Sequence, residues 1–251
     1  MRTRLLVALV LAGCGGGAAA PAATAPTGDG EVTLVALGDS LTAGEGDESG
    51  AGYVGRLAEQ MGAASTVNLG VSGWDSTMLV SDQLGPAVDA VEAAVAEGDR
   101  VVATVLIGSN DLWHVYGYTP EDTTTAEEDA AVELYTDNLE RVVGDLQDAG
   151  AVVVLGLPDE QTQRPAVVQL ELLQGYYPDI SEAEVAQMAA LAGRLDEAVV
   201  AVAGEHDLVT VDTNDPFWAD PSTMADDGVH PNAAGYEILA DRFFAGIQPL
   251  L

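Results

Sequence analysis

The run Val32-Thr33-Leu34-Val35-Ala36-Leu37-Gly38-Asp39-Ser40-Leu41 decides how the chain is read. A short, nearly unbroken apolar stretch stops at a glycine and gives way to polar residues. Runs of this kind suit strands covered on both faces, and therefore a parallel sheet. Working outward, the pattern recurs at Thr66 to Leu69, Arg100 to Ile107 before Gly108, Ala151 to Leu155 before Gly156, and Leu208 to Val211. Amphipathic helical patterns separate these runs, over 52–62, 85–97, about 126–148, about 182–204, and from just after Pro231. Two of them open on capping boxes, read as Thr125 with Glu128 and Ser181 with Glu184. Strands alternating with helices predict a three-layer α/β/α sandwich, and no repeat or internal linker divides residues 31–251.

Ahead of that domain the chain changes character. Arg2 and Arg4 precede an apolar run, Leu5 to Ala12, too short to span a bilayer as a mature helix. It ends in Leu11-Ala12-Gly13-Cys14, which resembles a bacterial lipobox. On that reading residues 1–13 are a signal peptide, and Cys14 is the lipidated first residue of an exported, membrane-anchored protein. The alternative is an ordinary secretory signal that contains a cysteine. Cys14 is the only cysteine in the chain, so an intramolecular disulfide is excluded. The Gly, Ala, Pro and Thr residues that follow, up to residue 30, read as a flexible tether.

The charge balance removes whole classes of function. The 251 residues carry 41 acids against 8 basic residues, all arginine, for a formal net charge of −33. A protein that tracks phosphates needs basic residues on one face, so nucleic acid is excluded as a partner. Without lysine there is no Schiff base and no Ser–Lys dyad. Self-repulsion at this charge destabilises the compact state at low ionic strength, which points to a saline habitat. A GC-rich genome would account for the missing lysine but not for the surplus of acids. At 48% hydrophobic residues, the chain can still build a full core.

Open parallel sheets bind ligands beyond the carboxyl ends of their strands. The segments found there are Gly38-Asp39-Ser40-Leu41, Asn68-Leu69-Gly70-Val71-Ser72-Gly73, Gly108-Ser109-Asn110-Asp111 and, before the last helix, Asp227-Gly228-Val229-His230. Together they offer what acyl transfer requires. Ser40 is the candidate nucleophile and His230 its base, with Asp227, three residues earlier, able to orient the ring. The Ser40 and Gly73 N–H groups and the Asn110 amide are candidate oxyanion donors. Glycine at 73 leaves the backbone open to close approach. Of the other histidines, His206 falls on the opposite edge of the sheet. His114 follows the third strand with only Asp111 at a comparable spacing before it. Asp39 and Asp111 read as turn-forming acids, and Asp226 is an alternative to Asp227. No acidic run has calcium-loop spacing, and nothing points to a metal.

The four segments, in this order and covering residues 31 to about 246, resemble the four blocks of the GDSL or SGNH hydrolase superfamily. The resemblance implies a flavodoxin-like fold with a five-stranded parallel sheet, and hydrolysis of carboxylic esters or thioesters without a cofactor. It places Ser40, Gly73, Asn110 and His230 at the name-giving positions and Asp227 as the third member of the triad. The Gly-x-Ser-x-Gly elbow of α/β-hydrolases is absent. A small-molecule or polysaccharide ester and a monomeric enzyme are the expected substrate and state. Acyl transfer to an alcohol, or a lipid-anchored binding protein of the same fold, are the alternatives.

Trp74, Trp113 and Trp218 all fall in loops beside these blocks. With Tyr116 and Tyr118 they either line the substrate pocket or fill the core beneath it. The segment from Pro158 to Pro178, with Arg164, Tyr176 and Tyr177, follows the fourth strand and is placed to cover the site.

Overall fold

The computed structural model describes residues 30–116 and 123–251. The leader, Cys14, the tether and Tyr118 therefore lie outside the described residues, as does the side chain of Tyr176. Five strands form, each within a residue or two of its sequence reading: β1 (Val32–Gly38), β2 (Ser65–Asn68), β3 (Arg100–Leu106), β4 (Val152–Gly156) and β5 (Val209–Val211). They make one parallel sheet in the order β2-β1-β3-β4-β5, the flavodoxin-like order.

The helices are α1 (Ser40–Ala43), α2 (Gly52–Met61), α3 (Ser76–Met78), α4 (Leu84–Glu97), α5 (Ser109–Tyr116), α6 (Thr125–Asp148), α7 (Pro165–Val168), α8 (Leu170–Tyr176), α9 (Glu182–Glu205) and α10 (Ala233–Ile247). Side chains alternate across the sheet. Leu34, Ala36, Val102 and Val154 pack with α2 and α10, where Tyr53 stacks on Phe243 at 4.9 Å. Val35, Leu37, Ala103, Val105 and Val153 pack with α4, α6 and α9. Both faces are covered, which is why the strands read as unbroken apolar runs.

Two local readings are corrected. The capping box of α6 uses Thr124 and Glu127, one residue before the expected pair. That register turns Glu128 inward, where it accepts from the Tyr116 hydroxyl at 2.6 Å. The box of α9 uses Ser181 and Glu184 as expected. The helix read over 85–97 is preceded by a π turn, Leu79–Gln83, that no pattern in the sequence announced.

Candidate active site

β1 and β3 are neighbours in the sheet, although a helix-linked strand separates them in sequence, and each delivers its polar residue at the same edge. Ser40 opens α1 directly after β1, and Asn110 lies in the first turn of α5 directly after β3. Between β1 and Ser40, Gly38 adopts φ 153°, and a Cβ there would meet the Leu106 carbonyl oxygen at 2.1 Å. Asp39 caps α1 by accepting from the Leu41 N–H at 2.9 Å. Ser40 is thereby presented on a sharp strand-to-helix turn.

A side chain that sequence reasoning missed holds that turn. Gln83, at the end of the π turn and 2% exposed, accepts from the Gly38 N–H at 2.9 Å and donates to the Gly38 carbonyl at 2.7 Å. Single π turns inside helices often mark functional sites, and here the extra residue per turn swings a glutamine amide onto β1. A lone glutamine in a helical pattern carries no signal of this.

From the other end of the chain, the turn before α10 brings the imidazole. Met224 bridges Pro231, and the Ala225 N–H donates to the His230 carbonyl at 2.8 Å. Asn232 caps α10 and also donates to the Ser222 and Met224 carbonyls, which closes the loop. Within it, Asp227 Oδ1 accepts the Val229 and His230 N–H groups at 2.8 and 2.9 Å. Its Oδ2 lies 2.6 Å from His230 Nδ1, and His230 Nε2 lies 2.9 Å from Ser40 Oγ. Burial alone would raise the Asp227 carboxyl. Hydrogen bonds from the His230 ring and from those N–H groups outweigh it and hold the carboxyl below its ordinary range. Asp227 is thus an anion beside the ring, and Asp226 makes no such contact.

Gly73 and Asn110 line the same cavity, of about 360 Å³, as Ser40 and His230. Gly73 has φ 81°, and a Cβ there would meet nothing within 4 Å. Glycine is needed for the left-handed backbone, not for the room that the sequence suggested. Asn110 donates one amide hydrogen to the Trp74 carbonyl at 2.8 Å, which orients the other. Among the described residues, the Ser40 and Gly73 N–H groups donate to nothing else in the chain.

The aromatic residues divide. Trp113 lines the cavity, with Tyr177 stacked on it at 4.7 Å. Trp218 does not: it is buried against Phe217, donates its indole N–H to the Thr213 carbonyl, and lies under the Arg164 guanidinium. Tyr116 is likewise core, and Trp74 contributes a carbonyl rather than a ring. The 158–178 segment does border the cavity, through Arg164, Ala166, Val167, Leu173 and Tyr177. Arg164 forks onto Asp159 at 2.9 and 2.6 Å, and the Ala166 N–H donates to the Gly228 carbonyl at 3.0 Å, joining this segment to the Asp227–His230 turn.

Three acids have carboxyls raised above the ordinary range, and of these Asp39 is fully buried. Burial raises Asp39 to about 7, opposed by the Leu41 N–H and the Arg164 charge, and raises Asp111 to about 6, opposed by the Ser76 hydroxyl. Burial also lifts Asp196 to about 7. The remaining histidines are tied elsewhere. His114 Nδ1 lies 2.7 Å from Asp75, not Asp111, and His206 bridges Gln147 and Glu140 at the far end of α9. Among the described residues no three His, Cys, Asp or Glu side chains are grouped to hold a metal, and no helix is long and apolar enough to cross a membrane.

Residues 36–238 match the GDSL-like lipase/acylhydrolase family. The chain belongs to this family. Membership makes it a hydrolase, with ester cleavage as its general chemistry. YpmR of Bacillus subtilis, an uncharacterised protein, is 25% identical in an alignment of 232 positions that covers 86% of this chain and 82% of that one. Among solved structures, a catalytic mutant of Axe2, an acetylxylan esterase from Geobacillus stearothermophilus, superposes with a TM-score of 0.59 at 23% identity, covering 88% of this chain and 95% of the other. A lipolytic G-D-S-L family protein from Veillonella parvula gives 0.56 at 17% identity, covering 86% and 98%. These structural likenesses carry the GDSL fold.

Proposed function

We propose that the protein is a serine esterase that cleaves carboxylic esters through an acyl-enzyme on Ser40. The observation that carries this reading is the unbroken line from Asp227 Oδ2 through the His230 ring to Ser40 Oγ, with contacts of 2.6 and 2.9 Å. Ser40 Oγ attacks the ester carbonyl carbon while His230 Nε2 takes the hydroxyl proton. The carbonyl electron pair moves onto oxygen, where the Ser40 and Gly73 N–H groups and the Asn110 amide receive it, each donor worth ~3 kcal/mol in the transition state. The tetrahedral adduct then expels the alkoxide, which takes the proton from His230 and leaves as alcohol. Water repeats the sequence on the acyl-serine, releasing the acid and restoring the hydroxyl. Asp227 stays ionised throughout and stabilises the imidazolium. No step requires a metal or cofactor.

A fluorophosphonate probe tests the nucleophile: it should add its phosphonyl mass to the tryptic peptide containing Ser40, and Ser40→Ala should abolish both labelling and ester turnover. Labelling of a different serine overturns the assignment. We further propose that the enzyme acts as a monomer, exported and anchored through lipid on Cys14. In a bacterial host, palmitate analogues should label the full chain, and Cys14→Ser should move it to the soluble fraction. An unlabelled, soluble wild-type protein refutes the anchor.

A further inference from the structure

The cavity above Ser40 has two unlike walls. Ser40, Gly73, Asn110 and His230 form one. The other is apolar: Val167 from α7, Leu173 from α8, and Trp113 from α5, with Tyr177 stacked on its ring at 4.7 Å and 5° from parallel. Val167, Leu173 and Trp113 are 2%, 3% and 6% exposed, so this wall is a recess and not a surface patch. Tyr177 covers one face of Trp113, and neither Val167 nor Leu173 offers a sugar hydroxyl a partner. The charges point the same way. The guanidinium bordering the cavity, Arg164, is forked onto Asp159, while Glu45 and Asp227 add negative charge. An anionic group brought into the recess would lose its water, and among the described residues lining it no guanidinium other than the paired Arg164 could replace it.

Resting on the esterase reading of Ser40, we propose that this recess seats the acyl part of the substrate, an uncharged, unbranched aliphatic chain, and that Val167 and Leu173 set its length. At roughly 30 Å³ per water-sized group, the 360 Å³ cavity takes on the order of a dozen heavy atoms, that is, the ester and a chain of about six to ten carbons. Each methylene buried on the way to the transition state is worth about fourfold in kcat/KM. Polysaccharide deacetylation, the activity named for Axe2, would leave this wall unused.

The test is a p-nitrophenyl ester series from acetate to dodecanoate with the full chain, Leu173→Phe and Leu173→Ala. An acetylated xylo-oligosaccharide is run in parallel, and Ser40→Ala serves as control. The readout is the ratio of octanoate to acetate kcat/KM, which does not depend on the fraction of protein that is folded. In the wild type this ratio should exceed about ten. Leu173→Phe should lower it at least fivefold, and Leu173→Ala should move the optimum to longer chains. An optimum at acetate, a preference for the acetylated sugar, or a ratio untouched by Leu173→Phe overturns the proposal while leaving the esterase reading intact. Turnover unchanged in Ser40→Ala would instead overturn the esterase reading itself.

Discussion

Replacing Gln83 with leucine isolates the contribution of the clamp on the turn that carries Ser40. Leucine keeps most of the volume and removes both polar contacts to Gly38. The Gly38 carbonyl retains the Val71 N–H at 3.2 Å, but the Gly38 N–H loses the side-chain acceptor it has in Gln83. A buried donor left unpaired costs about 1–3 kcal/mol, and the apolar gain of leucine offsets part of it. Unfolding in urea should therefore show a loss of about 1–2 kcal/mol with an unchanged slope. Freed on one side, Gly38 shifts, and the Ser40 N–H two residues on leaves its aim at the oxyanion. Losing half of a donor worth ~3 kcal/mol lowers kcat about tenfold with little change in KM. Gln83→Glu is the companion variant, because a carboxylate can still accept from the Gly38 N–H but cannot donate. At neutral pH it also sets a buried charge against the Gly38 carbonyl, so it should be no more stable than leucine and should regain stability as the pH falls and the carboxyl takes up a proton that can be donated. Wild-type kcat in Gln83→Leu, or a loss confined to KM, would show that the clamp plays no part in aiming Ser40.

Other outcomes follow from the same geometry. Asp227→Asn should keep the fold and lower kcat by roughly 10⁴, because an amide can present its N–H to Nδ1 and favour the wrong tautomer; stopped assays of the purified variant against wild type check it. Asp39 is raised to about 7 in the fold from an ordinary 3.8, so the native state holds its proton more tightly than the unfolded chain. Its contribution to stability is full below pH 4 and is lost as the pH rises to about 7. Asp39→Asn keeps an acceptor for the Leu41 N–H and cannot ionise. It should raise the melting temperature relative to wild type at pH 8 by the equivalent of about 4 kcal/mol and much less at pH 4.5, and a shift of equal size at both pH values refutes the burial argument. With a net charge of −33, the wild type should melt several degrees higher in 2 M than in 0.05 M NaCl, and a flat salt profile would remove the case for a saline habitat.

The buried Arg164 explains how one segment serves two purposes. Its fork to Asp159 and its place over Trp218 anchor the start of α7, and the next turn both borders the cavity and donates to the Gly228 carbonyl. Trp113 has a comparable double role, since its ring lines the cavity while packing in the core with Tyr177. The two readings offered for the tryptophans are therefore not exclusive at this position. At Trp218 the core reading holds alone, because its single indole donor is used on the Thr213 carbonyl, away from the cavity.

Features encoded by local pattern were legible in the amino-acid order. The five strands followed from apolar runs, the long helices from periodicity and caps, and the four polar blocks from their place at strand ends. The capping box of α6 slipped by one residue because Thr124 and Thr125 are both competent caps, and the choice rests on where Glu128 finds Tyr116. Which side chains converge from distant positions was settled by packing. Gln83 on Gly38, Asp75 rather than Asp111 on His114, Arg164 beneath the cavity and the apolar recess of Val167 and Leu173 all depend on how layers pack against the sheet. Helix and strand periodicity is a short-range property of the backbone. A contact across 45 residues, as between Gly38 and Gln83, is set by the packing of whole elements and leaves no mark in the spacing of either segment.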